Sequence, residues 1–171
     1  MLTFPQTGDD TTLPIAVLDR ETARTAFPPR SHDVADGDFQ APALKEGRTY
    51  DVVVGPTEHG LFARLPLETL PYYPVAVVLE RVPGVQGQVV APAGEEIRGG
   101  EIRAVGPGFD VATELEQGGR FAFAGLPTEP ISYRVSAKLR DRDRTRTAHA
   151  RHDVQEGESW VEITMESDRG R

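Results

Sequence analysis

Two stretches of this chain repeat one pattern, and that repetition limits the fold more than any other feature. The first runs Asp36-Gly37-Asp38-Phe39, then Leu44, then Tyr50-Asp51-Val52-Val53-Val54. The second runs Gly118-Gly119-Arg120-Phe121-Ala122-Phe123, then Leu126-Pro127, then Tyr133-Arg134-Val135-Ser136-Ala137. In each copy a turn precedes a Phe, a Leu follows, and a Tyr-x-Val segment comes after that. The pattern predicts two small domains of one design, residues 1–82 and 83–171, joined at Pro83-Gly84.

The design is all-β: two tandem sandwiches of transthyretin-like (immunoglobulin-like) type with little helix. Alternation of apolar and polar residues is the signal. Tyr133, Val135, Ala137 and Leu139 point one way; Ser132, Arg134, Ser136, Lys138 and Arg140 point the other. Val161, Ile163 and Met165 share a face, as do Phe121 and Phe123 and the pair Ile102 and Ala104. Residues 13–18, 48–54, 60–67, 74–80 and 85–90 read as further strands. Glycine (17) and proline (14) supply the turns. A hydrophobic content of 38% suits thin sheets with one wet side.

The net charge is −8, so the surface favours solubility and repels phosphate backbones, which argues against nucleic acid as a partner. There is no cysteine, which removes disulfides, thiolate chemistry and cysteine-based zinc sites. No apolar run reaches the roughly 20 residues needed to cross a bilayer, so direct membrane insertion is not expected. The N-terminal residues have neither the basic region nor the apolar run of a signal peptide.

The second half resembles the carboxypeptidase regulatory-like domains, which are transthyretin-like (prealbumin-like) sandwiches. The residues that carry the resemblance are Val85-x-Gly87-x-Val89, Gly94, Gly100-x-Ile102-x-Ala104, Gly119-Arg120-Phe121-x-Phe123-x-Gly125-Leu126-Pro127 and Tyr133-x-Val135-x-Ala137. The first half fits through Asp36-Gly37-Asp38-Phe39 and Tyr50-x-Val52-x-Val54, and it lacks the opening glycines. The resemblance implies a non-catalytic structural or protein-interaction module of a bacterial surface, envelope or secretion-associated system. A carbohydrate-binding module is the alternative. A divergent enzyme of the same fold comes third. The terminal Tyr-Arg-Gly-Ser of the related urate-pathway hydrolase is absent, since the chain ends Asp168-Arg169-Gly170-Arg171. The two-tyrosine, His-x-His iron set of intradiol dioxygenases is also unmatched.

Several residues remain as candidate binding groups. Trp160 is the single tryptophan and is expected to face outward, where an indole can stack on a sugar or pack on a protein. Tyr72 and Tyr73 lie between Pro71 and Pro74, in a stiff extended segment. Arg140, Arg142, Arg144 and Arg146 alternate with Asp141, Asp143 and Thr145; as a strand they would line one face as an anion or acidic-partner stripe, and as a long exposed hairpin they would be a charged guard against edge pairing. Asp33, Asp36 and Asp38 cluster round a glycine turn. Ca2+ is conceivable there, although the EF-hand glutamate is missing and turn chemistry explains the residues equally. His149 and His152, three apart on a strand, would face opposite sides and share no metal.

Overall fold

The computed structural model describes residues 2–3, 12–22, 24–33, 38–39, 44–68, 75–142, 144–155 and 157–166. These residues are strands and turns, with no helix among them. None therefore forms a helix long and apolar enough to cross a membrane. The chain divides into two compact units. One holds Met1–Val82 with Pro107–Phe109, the other Pro83–Gly106 with Asp110–Arg171.

The first unit contains β1 (Leu2–Thr3), β2 (Thr12–Asp19), β3 (Arg24–Asp33), β4 (Asp38–Phe39), β5 (Tyr50–Val54), β6 (Leu61–Leu67), β7 (Val75–Ala76) and β8 (Glu80–Arg81). They form a five-stranded sheet, β3-β2-β5-β6-β8, and a three-stranded sheet, β4-β1-β7. β1 runs antiparallel to β4 and parallel to β7. Leu13, Ile15 and Val17 of β2 and Tyr50, Val52 and Val54 of β5 form one core with Phe39 of β4. Such clusters stabilise by roughly 1.5–3 kcal/mol per large side chain buried.

Among the described residues of this unit, the buried side-chain polar atoms have hydrogen-bond partners, with one exception. The Tyr50 hydroxyl accepts the Lys45 N–H at 2.9 Å. Asp19 is buried; its carboxylate pairs with Arg48 and accepts the Glu21 and Thr22 N–H groups. The Arg48 bond, followed by the Thr22 N–H, holds that carboxyl below its usual range. His32 is the exception. Its ring packs on Phe27 and Phe39, with centroids 5.3 and 4.7 Å away, and its Nε2 is buried without a partner. Burial, then the charge of Arg30, pushes its pKa down.

The second unit contains β9 (Val85–Val90), β10 (Glu96–Gly106), β11 (Phe109–Leu115), β12 (Arg120–Phe123), β13 (Ile131–Asp141), β14 (Arg144–Val154) and β15 (Trp160–Thr164). Its sheets are β11-β10-β13-β14 and β12-β9-β15. β9 runs antiparallel to β12 and parallel to β15. Strand for strand, β9 to β15 occupy the places that β1 to β7 occupy in the first unit. Only β8, at the outer edge of β6, has no counterpart among the described residues.

The motif residues of this unit fill the space between its sheets. The rings of Phe121, Phe123 and Tyr133 form a triangle with centroids 6.1 to 6.4 Å apart. Burial, with a smaller push from Glu158, raises the Tyr133 pKa to about 12. Gly87 lets this packing close: a Cβ there would lie 2.1 Å from the Val161 carbonyl oxygen and 2.4 Å from the Phe121 ring. A side chain at Gly87 therefore excludes either the neighbouring strand or the ring.

Residues 74–80 do not form the single strand that their apolar run predicts. Val75–Ala76 joins the three-stranded sheet and Glu80–Arg81 the five-stranded one. Between them the chain crosses over, with Val77 buried and Val78 exposed. A continuous apolar run cannot distinguish a strand from a buried crossing.

Candidate functional site

The four-stranded sheet of the second unit carries the densest set of exposed cationic groups. β13 is central, and its strict alternation buries Tyr133, Val135, Ala137 and Leu139. Its outward residues are Ser132, Arg134, Ser136, Lys138 and Arg140, all neutral or basic. Register then decides what stands beside them. Arg134 lies opposite Arg103 of β10 on one side and Arg151 of β14 on the other. Three arginines thus form one row across three strands, each about 4.8 Å from the next.

Like charges directly opposed across strands are unfavourable, so the flanking members need compensation. Arg103 is bound to Asp110 at 2.9 Å and Glu101 at 3.3 Å, chiefly the charge of Asp110 holding it in its cationic form. Arg151 pairs with Asp153 at 3.0 Å. Arg134, at the centre, makes no ion pair or side-chain hydrogen bond among the described residues, and neither does Lys138 one turn of the alternation away. With its flanking members compensated, the row presents one uncompensated charge, that of Arg134, to an outside anion.

The arginines expected on one strand face are arranged differently. β13 ends at Asp141 and β14 begins at Arg144, so a tight hairpin interrupts the run. Arg142 sits in it with φ 50°, a left-handed conformation usually taken by glycine or asparagine. Arg140 faces outward and gives its Nε–H to the Arg142 carbonyl at 3.0 Å. Arg144 and Arg146 lie on the opposite face, in register with Asp141 and Leu139. Arg146 grips Glu95 with both oxygens, at 3.0 and 2.9 Å, and the Glu95 side chain is 5% exposed. That bond is structural, fastening β14 to the β9–β10 connection.

Trp160 opens β15 at the edge of the three-stranded sheet and is 53% exposed. Its row across the sheet is Ala122, Gln86, Trp160; the next is Arg120, Gln88, Glu162. An indole face beside a small residue and amide groups forms a second, nearly neutral surface. Tyr72 and Tyr73 lie outside the described residues, as does Asp36. Asp33 ends β3 and Asp38 begins β4. His149 and His152 fall on opposite faces of β14, opposite Ser136 and Tyr133. No three His, Asp or Glu side chains gather as a metal site among the described residues.

The single-strand reading missed the Arg103–Arg134–Arg151 row because register is not written in any one strand. The available signal was the run of outward groups on β13, which holds no acid from Ser132 to Arg140.

Comparison with known proteins adds little. No family model matches the chain. No curated protein matches it either. Among solved structures, a Bacteroides fragilis protein provisionally described as a cell adhesion protein aligns over 92% of this chain and 79% of its own, with 12% identity and a TM-score of 0.30. An overlap that slight assigns neither a fold family nor a function.

Proposed function

We propose that this chain is a non-catalytic interaction module that docks an acidic region of a partner protein on the outer face of β10, β13 and β14. The observation that carries this reading is the row of Arg103, Arg134 and Arg151 with an unpaired cation at its centre. On a chain of net charge −8, Arg134 and Lys138, exposed on one face without an ion pair among the described residues, favour an acidic partner. The scattering of the histidines, and the structural employment of the motif glycines and aromatics, favour binding over catalysis. The resemblance to carboxypeptidase regulatory-like modules implies that the partnership belongs to a surface, envelope or secretion-associated system.

Calorimetric titration with poly-L-glutamate at low and high salt tests this. Wild type should bind, and salt should weaken it. Arg134→Glu should weaken binding at least about tenfold, or about 1.4 kcal/mol. Equal affinity for wild type and Arg134→Glu would sink the proposal.

A second reading rests on a different surface. Trp160, exposed beside Gln86, suits a neutral sugar ring: the indole stacks on its C–H face and the amide takes its hydroxyls. Because Trp160 is the only tryptophan, its fluorescence reports occupancy directly. A glycan panel that leaves that emission unchanged removes this reading.

A further inference from the structure

We infer that the outer edge of β14 accepts an added strand, an extended acidic segment of the partner, so that binding continues the four-stranded sheet. This rests on the reading of the charged face above and specifies how the partner engages it. Strand addition draws affinity from main-chain hydrogen bonds and specificity from alternate side chains.

The molecule contains its own precedent. β6 ends the series β3-β2-β5-β6 as β14 ends the series β11-β10-β13-β14. On β6 that edge is occupied: β8 pairs antiparallel with it, Phe62 opposite Glu80 and Leu61 opposite Arg81. The Val82 N–H extends the contact, donating to the Gly60 carbonyl at 2.9 Å. On β14 nothing among the described residues takes the corresponding place.

β14 is also the better template. It has 11 residues against 7 in β6. Its register with β13 runs unbroken from Ile131↔Val154 to Asp141↔Arg144, without proline or bulge. In an antiparallel pair, alternate residues aim their N–H and C=O away from the partner strand, so β14 offers a regular series of such groups to an incoming chain.

Charge selects the occupant. Along β14, Arg146 is held by Glu95 and Arg151 by Asp153, which leaves Arg144 here, and Arg134 and Lys138 on the neighbouring strand, without an ion pair among the described residues. A second copy of β14 would bring arginines against arginines, a standard guard against edge-to-edge association. An acidic strand meets the opposite field. The Arg103–Arg134–Arg151 row ends at this edge, so an acid on the added strand would stand one strand spacing, about 4.8 Å, beyond Arg151.

The test uses the full chain, isotopically labelled, with a synthetic peptide of five Glu-Val repeats and a Lys-Val peptide as control. Amide exchange is read residue by residue at millimolar peptide. The Glu-Val peptide should slow exchange at alternate residues of β14 and leave β11, the opposite edge, unchanged. The Lys-Val peptide should do neither, and Arg151→Glu should cost at least tenfold in Glu-Val affinity. Binding of the Glu-Val peptide that shifts the Arg134 and Arg151 signals without protecting β14 amides would overturn strand addition and leave the acid-docking face standing. No binding at all would overturn both. Concentration-dependent protection of β14 without peptide would assign the edge to a second copy and overturn the inference.

Discussion

Tyr50 and Tyr133 occupy corresponding strands, β5 and β13, and both rings are buried, yet each unit accommodates its tyrosine differently. In the first unit the hydroxyl is tied to the Lys45 backbone at 2.9 Å. In the second the ring completes a triangle with Phe121 and Phe123. The edges differ too: β6 is covered by β8, while β14 is bare among the described residues. One strand plan thus supports two internal solutions and two surface states. Position in the plan fixes which residues are buried; the surrounding chain fixes what they bond to and which edges stay open.

The largest expected effect comes from the residue with least room. Gly87→Val should cost about 3 kcal/mol or more, since its Cβ must displace either β15 or Phe121. Urea unfolding followed by Trp160 emission reads this directly. A near-neutral Gly87→Val would break the claim that glycine sets the sheet spacing in the second unit. Next, Phe39→Ala and Phe121→Ala should each cost about 3–5 kcal/mol if the two motif copies do the same job. A cost near zero at Phe39 would separate the two units.

Alkali should weaken the second unit selectively, while acid weakens both. Tyr133 ionises near pH 12 in the fold against 10.0 when free, so its folded form keeps a proton that the unfolded chain gives up first. Its contribution is complete below pH 10.0 and is lost by about pH 12, up to about 3 kcal/mol. In the first unit the His32 and Asp19 shifts run downward, and in the second so does that of Asp153, held down by Ser132 and Arg151. Unfolded His32 takes up a proton near pH 6.5, before the folded form, so stability declines as pH falls below 6.5. The Asp19 contribution, present above pH 3.8, is lost on further acidification through its lower folded pKa. Exchange protection in β2 and β13, followed across pH, checks this; equal loss in both strands between pH 10.0 and about 12 would refute it.

A smaller cost, about 1–3 kcal/mol, is expected for Arg146→Ala, which leaves the Glu95 carboxylate buried without its cation. Arg140→Ala, on the opposite face, should change stability by less than about 0.5 kcal/mol. Trp160→Ala should be comparably mild, because its indole is mainly exposed. A large loss there would show that Trp160 serves packing and would remove the best residue of the sugar reading.

Much of the second unit was legible in the sequence because its strands are half-buried and alternate cleanly. Tyr133, Val135, Ala137 and Leu139 on β13, Val161 and Ile163 on β15, and Met165 just after it all lie inward as their spacing requires. A hairpin over this segment was one of the two readings its alternating charges allow, but the turn itself was not legible: it places an arginine at positive φ where a glycine or asparagine would have signalled it. β3 was hidden for another reason. It contains Pro28 and Pro29, which an edge strand tolerates, but which read as a break when the position in the sheet is unknown. The candidate site was half visible: Arg134, Lys138 and Arg140 share a face by alternation alone. Arg103 and Arg151 join them only through register, which depends on long-range pairing.

The parallel pairing of β9 with β15 has a mechanical consequence. The strand that opens the second unit and the strand that closes it run side by side in one direction, joined from Trp160↔Gln86 to Thr164↔Val90. The flanking bonds, Gln86 N–H to the Ser159 carbonyl and Met165 N–H to the Val90 carbonyl, are both 3.0 Å. The chain therefore enters this sheet at one end and leaves at the other. Tension applied to the two ends slides β9 along β15 and loads every bond of the pair together, where an antiparallel pair would unzip bond by bond. Among the described residues, the first unit repeats the arrangement at Leu2↔Val75 and Thr3↔Ala76.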